Sequence, residues 1–271
     1  DTPYPGWDAL RQEELEESPA VVLTVRDSEG NVVRQIEGPV TPGFHRVAWD
    51  LRYPQSTPWS PEMETPQYIN FPGPLAAPGD YTVSIAKRVN GQLTDLAQNQ
   101  EFKAVSIVES TLEGAAPDAV MAFNLRLDDL RRQVRGAGAA TDAALTELGA
   151  IKSTLLRSSA PDALRDEAHR IELALKALQE TMSGNDRRDL YGDPGPVSIN
   201  GRIQPALMGT YRSTYGPTPT HLRSIEAAES MFENVKADMG QLLETDLPAL
   251  RAQLDEHGVP WTPGRGVPAR D

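Results

Sequence analysis

The sequence predicts a multidomain chain: an antiparallel β-sandwich, followed by an antiparallel bundle of about four helices. Three observations predict it. The chain has 271 residues, a length that suggests about two domains. Up to about residue 110, β-branched and aromatic residues alternate with polar ones between turn prolines and glycines, the period of half-buried strands. Beyond it, Ala, Leu, Arg and Glu dominate, and apolar residues recur three and four apart.

Residues 1–18 hold Tyr4-Pro5-Gly6-Trp7 and an acidic run from Glu13 to Glu17. They read as a linker, or as the tail of a preceding domain that is missing from a fragment or processed form. Trp7 and Tyr4 are expected to pack, because exposed Trp is uncommon. Residues 19–110 read as the β domain. Val21, Leu23 and Val25 alternate with Val22, Thr24 and Arg26 in a first strand. Asp27-Ser28-Glu29-Gly30-Asn31 makes a turn in which Gly30 supplies positive φ. A second strand follows over 32–36. Pro42-Gly43 opens a third over 44–51, where His45, Val47 and Trp49 take one face. Residues 53–78 carry seven prolines, too many residues for a hairpin, and read as a long irregular excursion. Pro78-Gly79-Asp80 launches a strand over 81–87, and Asn90-Gly91 is a strong hairpin signal. Runs at 93–96 and 102–108 complete six or seven short strands, the count of an immunoglobulin-like sandwich.

Residues 111–258 read as the helical bundle. Val120, Phe123, Leu127, Leu130 and Val134 mark a first helix, ended by Gly136 and Gly138. Leu145, Leu148, Ile151 and Leu155 mark a second. Leu164, Ala168, Ile171, Leu175, Leu178 and Met182 mark a third, closed by Gly184-Asn185-Asp186. A long fourth runs through Leu222, Ile225, Phe232, Val235, Met239 and Leu242. Thr218 caps it, and Pro219 suits its first turn. Pro248 kinks or restarts it. A short helix is expected within 200–211. Such stripes must bury against one another, which gives a bundle. The Pro/Gly-rich end, 259–271, reads as a flexible tail.

Charge and composition exclude several function classes. The net charge of −13 comes from 16 acidic and 8 basic residues before 111 and 23 and 18 after it. Acidity spread this way reads as solubility and argues against nucleic acid as a partner. No apolar run approaches the roughly 20 residues of a membrane span. The chain has no cysteine, so it has no disulfide, no thiolate nucleophile and no cysteine-ligated zinc.

The reactive constellations are weak. Asp27 to Asn31 resembles part of a calcium loop, but Gly30 falls at the fourth position rather than the sixth, between strands rather than helices. His45, His169, His221 and His257 share no ligand spacing. Asp128-Asp129 are adjacent helix acids beside Arg131 and Arg132, the pattern of a salt-bridged surface rather than a carboxylate pair across a cleft. There is no Gly-x-Ser-x-Gly elbow, P-loop or dinucleotide fingerprint. No catalytic, cofactor-binding or metal-ligating residue is therefore assigned. Tyr53, Trp59, Tyr68 and Phe71 are candidate ligand or docking aromatics: a carbohydrate-stacking platform, or anchors that cover a sheet edge or dock on a neighbouring domain.

One stretch carries a family resemblance. It comprises Val21 to Arg34 with Asp27-Ser28-Glu29-Gly30-Asn31 at its turn, then Thr41-Pro42-Gly43-Phe44-His45-Arg46-Val47-Ala48-Trp49-Asp50-Leu51-Arg52, then Pro78-Gly79-Asp80-Tyr81-Thr82-Val83. This resembles the Ig-like module, similar to that of the flagellar hook-capping protein, at the C-terminus of bacterial sortilin-like proteins with BNR or Asp-box β-propellers. Those proteins are often labelled glycosyl hydrolases. The resemblance implies a structural motif of Gly30, Gly43, Trp49, Asp50, Gly79 and Tyr81. It implies a non-catalytic accessory region in an extracytoplasmic setting, with an upstream propeller of the same protein and a protein or glycan as partners, and no cofactor. The alternative is part of a glycoside hydrolase whose catalytic residues lie on the propeller, or a carbohydrate-binding module.

Overall fold

The computed structural model describes residues 5–57, 72–107, 113–193, 195–211 and 213–266. The chain divides into two compact units. One is Asp1–Gln55 with Ser60–Ala122, and the other is Ser56–Trp59 with Phe123–Asp271. The boundary thus falls inside a helix, at Ala122/Phe123, rather than near residue 110.

The first unit opens with α1 (Trp7–Glu14), none of whose residues is buried. Trp7 is 80% exposed, against the expectation that it packs, and Tyr4 lies outside the described residues. An antiparallel sheet follows, built from β1 (Ala20–Asp27), β2 (Val32–Gly38), β3 (Gly79–Val89), β4 (Gln92–Asp95) and β5 (Gln100–Ala104). The order is β2-β1-β3-β4, with β5 also paired to β3. β4 takes the Ala86–Val89 end of β3 and β5 the Gly79–Val83 end. The β3–β4 turn is Asn90-Gly91, with φ of 49° and 76°, the left-handed pair that matches the twist of a hairpin.

The β1–β2 turn is built by Asp27. Its Oδ1 accepts the N–H groups of Glu29 and Asn31 at 3.0 and 2.9 Å, and Gly30 supplies a φ of 86°. These bonds consume the carboxylate oxygen that a calcium loop would need free.

The expected third strand does not form: residues 44–50 carry no ladder among the described residues. The alternation is real, since Val47 and Trp49 are half-buried and their neighbours exposed. Its cause is different. The segment lies across one face of the sheet, not along its edge. A Cβ on Gly38 would meet Val47 at 3.6 Å, and Trp49 stands against Tyr81 and Phe102. The core beneath consists of Val25, Val33, Ala76 and Tyr81, with Trp49, Tyr53, Val83, Phe102 and Ala104 packed around it.

The second unit holds most of α2 (Pro117–Leu155), then α3 (Asp162–Ser183), α4 (Asp186–Leu190), α5 (Ile199–Tyr211), α6 (Pro219–Gly240) and α7 (Leu247–Glu256). Two expected helices are therefore one. Gly136 and Gly138 do not end α2, because the apolar stripe runs straight past them. Val120, Phe123, Leu127, Leu130, Val134, Ala137, Thr141, Ala144, Leu148, Ile151 and Leu155 alternate steps of three and four, and all are buried or partly buried. The glycines sit off that stripe. A 3.5-residue repeat of this length is the pattern of supercoiled, knobs-into-holes packing.

α3 buries the six residues its spacing predicts, from Leu164 to Met182, and ends at Gly184 with φ 90°. Ser198 caps α5, accepting the Gly201 N–H at 3.1 Å. Thr218 caps α6 as expected. Its hydroxyl accepts the His221 N–H, while His221 Nδ1 accepts the Thr218 N–H, each at 3.3 Å.

Between α6 and α7 lies a π-helical stretch, Gln241–Asp246. Its last bond runs from Leu247 N–H to the Leu242 carbonyl. The wider turn inserts one residue just before Pro248, whose ring would crowd a regular helix. It also keeps the stripe in phase. A regular step of four from Leu242 would bury Asp246; the step of five buries Leu247 instead. Asp246 is released to pair with Arg170 at 2.6 Å. The expected loose tail does not hold for residues 259–266, where Val259, Thr262 and Arg265 are buried.

Candidate functional site

Of the residues expected to form a structural motif, Trp49 and Tyr81 meet in one aromatic cluster with Phe102. Trp49 meets Tyr81 edge-on, with ring centroids 5.3 Å apart, and Phe102 at 6.1 Å. Tyr81 and Phe102 stack at 5.8 Å. Register explains the meeting, because Tyr81 and Phe102 are cross-strand partners on β3 and β5. Such pairs add about 0.5–1.5 kcal/mol beyond their burial.

Each polar tip has a partner. Trp49 Nε1 donates to the Arg52 carbonyl at 3.0 Å. The Tyr81 hydroxyl donates to the Ala77 carbonyl, four residues upstream, at 2.6 Å. Asp50 Oδ1 accepts the Arg52 N–H at 3.1 Å, the role its place at the end of the segment suggests. Burial pushes the Tyr81 hydroxyl above its ordinary pKa, with Tyr53, Asp27 and Asp118 adding to the rise; burial and then Asp27 raise that of Tyr53. Both phenols stay protonated donors.

Of the candidate aromatics, Tyr53 is among the described residues and is half-buried. It packs on the core of the β unit, and its hydroxyl points to Met121 Sδ at 3.8 Å. Trp59, Tyr68 and Phe71 lie outside the described residues. The excursion itself is tied at its two ends. Tyr53 N–H donates to the Pro74 carbonyl at 2.9 Å and Ala76 N–H to the Leu51 carbonyl at 2.8 Å. Gly73 seals this closure: a Cβ there would stand 2.0 Å from the Tyr53 carbonyl oxygen. Gly43 has φ 136°. Gly79 is not in the left-handed region, and a Cβ would meet only the Tyr81 ring at 3.9 Å, so it is a strand residue without a special backbone demand.

Spacing overlooked Phe44. It is fully exposed, although it lies next to the anchored Val47 and Trp49. The signal was present in the alternation, which sets even-numbered Phe44 opposite odd-numbered Val47 and Trp49.

In the helical unit, several buried or half-buried charged side chains are held in ion pairs. Asp128, expected on a salt-bridged surface, is instead largely buried. It accepts Arg131 Nη1 at 3.0 Å and the Ser56 hydroxyl at 2.7 Å; burial lowers the Arg131 pKa. Asp129 pairs with exposed Arg132, as expected. Glu147 of α2 accepts Arg251 of α7 through both oxygens at 2.7 Å, a fork-to-fork pair. Glu172 of α3 takes Lys152 of α2 and Lys176 at 2.5 and 2.7 Å. Hydrogen bonds from those lysines hold its carboxyl at about 2. These carboxylates are neutralised by fixed cations, the opposite of a poised general acid. Each histidine has its own local setting: His45 bonds the Thr41 carbonyl, His169 faces Glu172, His221 caps α6 and His257 follows α7.

Among the described residues, no three His, Cys, Asp or Glu side chains gather as a metal site, and no helix is long and apolar enough to cross a membrane. Comparison with protein-family models, curated proteins and solved structures gave no match.

Proposed function

We propose that this chain is a non-catalytic accessory and docking region of an extracytoplasmic, sortilin-like β-propeller protein. It binds the propeller of the same protein through its β unit. One observation carries the docking role. Phe44 is fully exposed on a segment whose Val47 and Trp49 are fastened to the sheet. A solvated aromatic close in sequence to fastened residues is an anchor waiting for a pocket, and aromatic anchors dominate interface energy. The resemblance of residues 21–34, 41–52 and 78–83 to the sortilin-like C-terminal module supplies the partner and the compartment.

The same reading makes the β unit an Ig-like sandwich and the helical unit an antiparallel bundle of about four long helices. The Tyr81 hydroxyl bonded four residues back to the Ala77 carbonyl resembles the tyrosine corner of Ig-like sandwiches. The 3-4 stripes of α2, α3 and α6 support the bundle.

Titration calorimetry of the separately produced propeller with this chain tests the proposal. Binding is expected, and Phe44→Ser should weaken it at least about tenfold, with the near-ultraviolet signal of the Trp49–Tyr81–Phe102 cluster unchanged. An affinity that Phe44→Ser leaves intact, or no binding at all, overturns it.

A further inference from the structure

The end of α7 is locked rather than frayed. Gly258 adopts φ 60°. Its N–H donates to the Asp255 carbonyl at 3.0 Å, and the Val259 N–H donates to the Leu254 carbonyl at 2.9 Å. This pair of bonds, with an apolar residue after the glycine, is the tightest common helix ending. Val259 is buried, as that ending requires.

The chain then turns back over the helices. Arg265 is buried; its guanidinium donates to the carbonyls of Val259 and Pro260 at 3.2 and 3.1 Å and to Asp255. Trp261 Nε1 donates to the Gly266 carbonyl at 2.7 Å. Residues 258–266 thus form a closed loop tied to the last turn of α7. The loop also touches α2. Gly264, at φ 99°, runs so close to Glu147 that a Cβ would stand 2.7 Å from its carboxylate carbon. That carboxylate is the one held by both arms of the Arg251 fork.

We propose that residues 258–266 are a strap that latches α7 to α2. With the strap seated, Glu147 is buried, and water reaches its pair with Arg251 only from the half-buried arginine side. With the strap lifted, the carboxylate hydrates and the pair falls to the small worth of a surface bridge. Strap and α7 therefore open in one step, and the Glu147–Arg251 seam is exposed only when both have moved. Glycine is required at 264 on two counts, its left-handed backbone and the carboxylate against it.

Hydrogen exchange of the full chain, read by mass spectrometry, tests the latch. In the unaltered protein, the Gly258 and Val259 amides should exchange at the rate of the α7 amides of Leu250 and Leu254. Gly264→Ala should accelerate the strap and α7 together by about tenfold or more and leave α5 and the first half of α6 unchanged. Strap amides that exchange much faster than those of α7 in the unaltered protein, or a Gly264→Ala effect confined to the strap, overturn the proposal. The unaltered protein decides the first point even if the variant folds poorly.

Discussion

At the scale of single residues, the demand on the sequence is sharpest where two stretches of backbone touch. Gly73 is such a place, because the carbonyl oxygens of Tyr53 and Pro54 lie 2.0 and 2.6 Å from where a Cβ would stand. Backbone cannot swing aside as a side-chain end can, so the whole closure of residues 51–53 on 74–76 would have to part. Gly73→Ala should destabilise the β unit by about 2 kcal/mol or more. The urea midpoint of its near-ultraviolet aromatic signal reads this, with an unchanged slope if only stability has moved. Gly79→Ala is the control, since its Cβ would make ordinary contact with the Tyr81 ring and its backbone is not left-handed; it should shift the midpoint little. An equal loss in both variants would mean that the close approach at Gly73 is not what matters. Motif spacing could not separate these glycines. Both sit beside proline in turn-like sequence, and the distinction lies in a partner about twenty residues away.

At the scale of elements, the stripes were readable and their interruptions were not. All six apolar positions of α3 and the Thr218 cap of α6 follow from spacing and residue type alone, because both are local rules. Gly136 and Gly138 look like a helix end by the same local rules. They fail to end α2 because Val134, Ala137 and Thr141 carry the buried stripe past them, and tertiary packing outweighs a propensity cost of about 1 kcal/mol per glycine. A Cβ at either position meets nothing within 4 Å, and neither has positive φ. Gly136→Ala and Gly138→Ala should therefore each stabilise the helical unit, by roughly 0.5–1 kcal/mol. Thermal unfolding followed by the helical signal checks this; a lowered midpoint in either variant would place a helix break there after all. The π-helical stretch was hidden for a related reason. Only the phase of Leu247 relative to Leu242, five residues on, betrays the inserted residue, and Pro248 had suggested a kink. The aromatic cluster was half legible: alternation named Trp49 and strand entry named Tyr81, but their pairing with Phe102 is a matter of register. The Glu147–Arg251 pair spans more than a hundred residues and left no local trace.

At the scale of the whole chain, two cores of very different size follow from one sequence. Among the described residues, the core cluster of the β unit is small, with Val25, Val33, Ala76 and Tyr81 buried in it. The helical unit buries a continuous cluster from Phe123 to Val259. Each fully buried large aliphatic side chain contributes about 1.5–3 kcal/mol, so the helical core has far more to lose before it yields. The units should then unfold as separate cooperative steps, since a single transition needs cores that depend on each other. Hydrogen exchange across a urea series gives the test. Amides of β1 and β3 should lose protection at lower urea than those of α3 and α6, with intermediate concentrations at which only the helices remain protected. A common midpoint for strands and helices would mean that the two units stand or fall together. That outcome would place the coupling in α2, whose first turns belong to the β unit and whose remainder belongs to the helical one. The strands would then owe their stability to the helix that both units share rather than to their own small core.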